Sequence, residues 1–318
     1  MSFTEQLGRE VRSQLLSSEL LARSSGRVFF VKPADAADSA RFNREHPAYE
    51  DNVAAVYTTV DAAISACTAA VGDTVYVCAG HTETVTATSV AFDVSGVSVI
   101  GLGNGLNRPT FTFGAAAATI TVSAANCTWK NCHFIGNFLD VAAAFTIGAA
   151  KDFRLENNTF VDNTASLGFL SVVVTGATDN GADGLTVVGN YWRSLDVSPN
   201  AFVSILAAEV RLVINDNSVH MDATNDVGHF ITLAAKIVSG VQILRNHLIV
   251  VGSTGAAVGI FLTGSGTTST GVLAYNFAAS LDATAELIMT ASTGLRTLEN
   301  YYQGVADKNA KLWPVVNA

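Results

Sequence analysis

Apolar residues in the middle of the chain fall into short alternating runs instead of helical stripes. Residues 153–160 read Phe-Arg-Leu-Glu-Asn-Asn-Thr-Phe. Five later segments follow the same template: Leu185-Thr-Val-Val-Gly-Asn190, Leu212-Val-Ile-Asn-Asp-Asn217, Val241-Gln-Ile-Leu-Arg-Asn246, Gly271-Val-Leu-Ala-Tyr-Asn276 and Leu295-Arg-Thr-Leu-Glu-Asn300. An earlier copy, Cys127-Thr-Trp-Lys-Asn-Cys132, ends in Cys. Counting back from the final Asn, the places five and three earlier are mostly large and apolar: Phe153 and Leu155, Leu185 and Val187, Leu212 and Ile214, Val241 and Ile243. The place between them is mixed, with Arg154, Thr186, Val213, Gln242 and Arg296. A period of two turns one face of a strand inward.

A second apolar run precedes each template, for example Phe145-Thr-Ile147, Phe169-Leu-Ser-Val-Val-Val174, Phe202-Val-Ser-Ile-Leu206 and Phe230-Ile-Thr-Leu233. Both kinds of run are bounded by Gly, Ser, Asn or Asp, and no amphipathic helix of about ten residues fits between them, so they predict strands without crossover helices. The final asparagines recur at intervals of 32, 27, 29, 30 and 24 residues, and Cys132 precedes Asn158 by 26. A repeat near 28 residues predicts an all-β chain folded as a right-handed parallel β-helix, a solenoid. A propeller blade takes about 40 residues. Asp73-Thr-Val-Tyr-Val77 and Gly96-Val-Ser-Val-Ile-Gly101 are candidate earlier coils. At about 4.8 Å per rung the rod is roughly 40 Å long.

The repeat makes Asn158, Asn190, Asn217, Asn246, Asn276 and Asn300 candidate ladder residues. An inward Asn at a bend satisfies backbone groups there and donates its amide to the Asn one rung away. Solvated turns are the competing expectation.

The ends differ from the middle. Phe3, Leu7, Val11, Leu15, Leu16 and Leu20 recur every three to four residues and predict an amphipathic helix of about 20 residues. Residues 25–52 lose periodicity, so residues 1–50 are read as an N-terminal helix and arm, 51–305 as the solenoid and 306–318 as a C-terminal tail. The helix either caps the first rung or docks to a partner, because open solenoid ends must be covered. A short helix near 58–70 is expected to do the capping, which leaves the arm for docking. The aromatic C-terminus, with Tyr301, Tyr302 and Trp313, either seals the last coil or packs on a sister subunit.

Composition agrees with a buried, low-charge rod. The 318 residues are 49% hydrophobic and 14% charged, with 18 basic and 27 acidic residues and a net charge of −9. Disorder needs more charge, and phosphate neutralisation needs basic excess, so no nucleic-acid partner is expected. The uncharged stretch from Asn246 to Leu281 is broken by glycine-serine segments and holds no run of about 20 apolar residues, so no membrane partner is expected either. The N-terminus lacks a basic-then-apolar secretory layout, so the chain is expected to be made and kept in the cytosol, or assembled there into something larger.

Candidate chemistry is sparse. Cys67, Cys78, Cys127 and Cys132 lack zinc-type spacing and read as buried thiols. His133 and His247 hold equivalent places four rungs apart, and no third ligand repeats beside His220 and His247, so neither a metal nor a cofactor is expected. Asp196 and Asp222 are the one carboxylate pair worth testing as a glycosidase pair, since adjacent rungs place carboxylates about 5–10 Å apart. Asp216 and Arg245 each precede a ladder Asn and are expected to pair across rungs. Gly101-Leu-Gly-Asn-Gly105 lacks a following helix and reads as a tight corner, not a phosphate loop.

Two stretches carry a resemblance. Tyr57-Thr-Thr-Val-Asp-Ala-Ala-Ile64, leading to Val71-Gly-Asp-Thr-Val-Tyr-Val-Cys-Ala-Gly80, resembles the beginning of pectate-lyase-like β-helices, where a short helix leads into the first strand. Val97 to Phe111 is similar to the next coil of that class. From about residue 27 to 318 the Ala/Thr/Val/Gly-rich rungs and the Asn-Tyr-Tyr-x-Gly ending resemble the β-helix virion proteins of tailed bacteriophages. That resemblance implies a non-enzymatic structural protein of the virion: a capsid-exterior decoration or spike protein, homotrimeric, attached through its N-terminal region to other virion proteins such as the major capsid protein. The alternative is a short tailspike or receptor-binding protein that binds or cleaves a host surface glycan.

Overall fold

The computed structural model describes residues 26–32, 56–87, 89–195, 199–222, 228–233, 236–250, 259–263, 269–280, 288–289, 294–303 and 311–312. These residues form a parallel β-solenoid with almost no helix. Among them, three long sheets run along the axis, with eleven, ten and eight strands. Strands of one sheet come from successive turns and stay in register: Arg154, Thr186, Val213 and Gln242 lie side by side in the first sheet.

Among the described residues each full turn contributes one strand to each long sheet, three in all and one more than the alternating pattern predicts, and two turns add a short strand, Glu209–Val210 and Val238–Ser239. The template run forms the first sheet, as at Arg154–Glu156 and Val213–Asn215. The upstream run forms the third, as at Phe145–Ile147 and Ser171–Thr175. The additional strand follows the ladder residue and builds the second sheet, as at Thr159–Asp162, Tyr191–Ser194 and Ser218–Met221. These strands alternate as well: Phe160, Trp192 and Val219 point inward and are fully or almost fully buried.

The interior is one continuous apolar file. Phe111, Phe134 and Phe160 occupy the same place on consecutive turns and stack, with ring centroids 5.5 and 4.8 Å apart. Phe202 and Phe230 stack likewise at 5.4 Å. Offset stacking adds to the burial of these large rings.

Two columns of left-handed residues make the corners on either side of the first sheet. Gly72, Gly96, Asn126, Asp152, Gly184, Arg211 and Gly240 precede it, with φ between 56° and 80°. Asn131, Asn157, Gly189, Asp216, Arg245, Tyr275 and Glu299 follow it, with φ between 47° and 68°. A left-handed residue with a side chain costs roughly 1–2 kcal/mol, so something at these corners must offset that cost repeatedly.

The N-terminal end is capped by the short helix Val60–Ser65. Thr59 caps it by accepting the Ala62 N–H, and Glu83 accepts the Val60 N–H at 3.0 Å. Val60, Ala63 and Ile64 are buried against the first turn. Residues 1–50 are not wholly separate from the rod. Val28–Val31 pairs in parallel with Thr74–Val77, placing Phe29 and Val31 in the core. The sequence hides this strand because it stands alone, with no repeat around it. The six apolar positions of the expected docking helix, Phe3 to Leu20, lie outside the described residues. At the other end, Tyr301–Gln303 is a strand of the second sheet, inside the expected bounds of the solenoid, and Lys311–Leu312 runs antiparallel along its edge.

Candidate functional site

The asparagines that end each template form a single buried column at the corner between the first and second sheets. The carboxamide oxygen of Asn190 accepts the backbone N–H of Asn158 at 2.9 Å and its side-chain amide at 3.2 Å. The same pair of bonds joins Asn190 to Asn217, Asn217 to Asn246, Asn246 to Asn276 and Asn276 to Asn300. Each amide also donates to a strand carbonyl of the preceding turn, for example Asn217 to Val187 and Asn246 to Ile214, at 2.8 and 2.7 Å. All six are at most 1% exposed. Cys132 stands at the start of the column, its N–H donating to Asn158. The column offsets the strain of the left-handed corners beside it, since a buried amide left unpaired would itself cost about 1–3 kcal/mol.

Several other polar groups also connect turns. Arg245 binds Asp216 through two hydrogen bonds of 2.7 Å, and the carboxylate raises the guanidinium pKa further. Arg211 reaches Asp152 two turns away, at 3.3 Å. The pair spans Gly184, where a Cβ would lie 2.1 Å from the Asp152 carboxylate. Asp162 is buried at the end of its strand and accepts from Phe169 N–H, Ser194 hydroxyl and Leu195 N–H. Nothing in the template marks Asp162, because its partners come from the loop and from the next turn.

Among the described residues, two exterior regions gather charged or aromatic side chains that could meet a ligand. The first is a groove of about 440 Å³ on the first sheet near the N-terminal end. It exists because small residues (Thr74, Ser98, Thr128) and the corner glycines Gly72 and Gly96 lie beside the bulkier Tyr76 and Ile100. Lys130, Arg154 and Glu156 also line it. Arg154 donates to Glu156 from Nε at 2.8 Å and also from Nη2, while the Lys130 ammonium stands 3.9 Å away. Two cations share one carboxylate there, leaving a single positive charge among hydroxyls.

The second region is the outer face of the second sheet. Tyr191, Ser218 and His247 lie in one row, and Arg193 and His220 in the next. Asp222 follows immediately after that strand and donates its N–H to the Ser194 carbonyl at 3.2 Å. His220 is held below the ordinary imidazole pKa, first by burial and then by Arg193, while Asp222 pulls the other way. His133 is lowered too, by burial and then Arg108. His133 and His247 share a row four turns apart, whereas His220 lies opposite Ile249, diagonal to His247. Of the carboxylates expected to act together, Asp222 is placed here and Asp196 lies outside the described residues. No group of three metal-ligating side chains occurs among the described residues. Gly101 to Gly105 is a corner, with Gly103 and Gly105 at φ 93° and 57°, followed by a single 3-10 turn, Gly105–Asn107.

No protein-family model matches the chain, and no curated protein matches it. Among solved structures it is similar to PfbA, a surface adhesin of Streptococcus pneumoniae, at 10% identity and a TM-score of 0.40, over 78% of this chain and 67% of that one. It is also similar to a rhamnogalacturonan lyase at 11% identity and a TM-score of 0.33, over 87% of each chain.

Proposed function

We propose that this chain is a non-enzymatic structural protein of a tailed-bacteriophage virion, a capsid-exterior decoration or spike protein attached through its N-terminal region. The observation that carries this reading is the way polar side chains are used. The asparagine column and the pairs Asp216–Arg245, Asp152–Arg211 and Lys151–Asp183 all join one turn to another, which stiffens the rod along its axis. Such a rod suits a part that stands on a particle. The sequence resemblance to phage β-helix proteins points the same way. Cosedimentation with particles assembled without the protein tests it. The full chain is expected to sediment with the particles, and a chain lacking residues 1–24 to stay in solution. A full chain that never joins particles would refute the reading.

A second reading, a spike that binds or cleaves host surface glycan, is favoured by one specific arrangement: Arg193, His220 and Asp222 together on the outer face of the second sheet. Release of fragments from capsule or lipopolysaccharide, lost in Asp222→Ala, would select it over the first.

A further inference from the structure

The corner between the third and first sheets holds a set of charged groups that neither reading above uses. On one turn, Asp179 and Asp183 lie in the segment before strand Thr186–Val188. On the next, Glu209 begins the two-residue strand Glu209–Val210. The carboxyl groups clamp the two segments reciprocally. Glu209 Oε2 accepts the Ala182 N–H at 3.0 Å, and Asp183 Oδ1 accepts the Val210 N–H at 2.9 Å. Asp179 adds a third bond by accepting the Ala208 N–H at 2.9 Å.

Glu209 is 1% exposed and Asp183 7%. The second oxygen of Glu209, Oε1, is buried and no hydrogen-bond donor reaches it among the described residues. Two buried carboxylates side by side repel, and one proton held between them removes that repulsion and supplies the missing donor. We propose that Asp183 and Glu209 form a proton-sharing carboxyl pair that acts as a pH-operated latch between two consecutive turns, closed while the pair keeps its proton and released when the proton leaves.

The surroundings fix where the proton sits. The Lys151 ammonium, on the preceding turn, stands 3.5 Å from Asp183 Oδ2, so the compensating cation lies on the Asp183 side of the pair. Among the described residues no cation pairs with Glu209. Arg211 is engaged with Asp152. The facing strand Val238–Ser239 brings no ionisable side chain. Glu209 is therefore the protonated partner. Burial above all, then the charge and hydrogen bond of Asp183 and the charge of Asp179, push its pKa up to about 7, against the lowering effect of the Ala182 N–H. The sign follows from linkage. The unfolded chain loses this proton in the ordinary carboxyl range while the folded chain keeps it. The stabilisation is complete below that range and is lost as the pH rises through about 7.

The test is amide hydrogen exchange at Ala182 and Val210 between pH 5 and 9, corrected for intrinsic rate, with the ladder amide of Asn217 as reference. Protection at the two latch amides is expected to fall on the order of tenfold or more between pH 5 and about 7 and to level off above it, with no such step at Asn217. Glu209→Gln keeps the acceptor and adds a permanent donor, so it is expected to retain protection and abolish the step. A step that persists in Glu209→Gln overturns the proposal. Carbon-detected titration of the Glu209 carboxyl in the unaltered chain decides the matter even if that variant misfolds, because an ordinary carboxylate midpoint also overturns it.

Discussion

The carboxamide oxygen of Asn246 accepts both the backbone N–H and the side-chain amide of Asn217, at 2.9 and 3.0 Å. Asn217 in turn serves Asn190 in the same way. One side chain thus closes the hydrogen bonding of two turns.

Asn217→Leu should destabilise the rod by about 1–3 kcal/mol, because the Asn190 N–H and the Val187 carbonyl lose their partners inside a dry interior. Chemical denaturation measures it. An unchanged unfolding midpoint would show that the column contributes nothing to stability.

Gly184 sits at φ 76° with the Asp152 carboxylate where a Cβ would go. Gly184→Ala combines left-handed strain with displacement of the Asp152–Arg211 pair, and should cost about 1–3 kcal/mol. Gly105, also left-handed but with open space around it, is the control. Gly105→Ala should cost less, and equal losses at the two sites would contradict the steric argument.

His133 and His220 both titrate below the usual imidazole range, chiefly through burial. The unfolded chain takes up protons at these positions first as the pH falls through about 6.5. Their contribution to stability is therefore full above that pH and is lost on acidification through the lower folded values. Proton NMR titration of the two rings is expected to give midpoints under 6.5. A midpoint at or above that value for either ring would contradict the assignment of burial as the cause.

Burial pushes the thiols of Cys67, Cys78 and Cys132 up to about 12 and raises Cys127 as well. Thiolate is the reactive form, so a disulfide reagent at pH 8 should leave the native chain almost unlabelled and modify all four residues after denaturation. Fast labelling of Cys132 in the folded protein would show that its turn opens readily.

The repeat made the solenoid and the asparagine column readable, because both follow from one period and one alternation. Inward Leu155, Val187, Ile214 and Ile243 and the bends at Asn158 to Asn300 can be placed by counting. The second-sheet strands escaped because their outward residues, such as Tyr191, Arg193 and His220, mix aromatic and charged groups after a bend and blur the alternation. The pairing of Asp183 with Glu209 was not legible at all. The segments between the third and first sheets vary in length from turn to turn, so spacing along the chain does not fix which residues meet. Arg193 beside His220 was hidden for a different reason: both lie three residues past a ladder Asn, in a strand the template did not include.

The direction of the asparagine column bears on synthesis. Every ladder N–H from Asn158 to Asn276 is satisfied by a side chain 24 to 32 residues further on. On the ribosome, a coil just made still lacks its acceptor, and only the arrival of its successor settles it. A coil at the growing end therefore carries an unsatisfied donor until the next one is made.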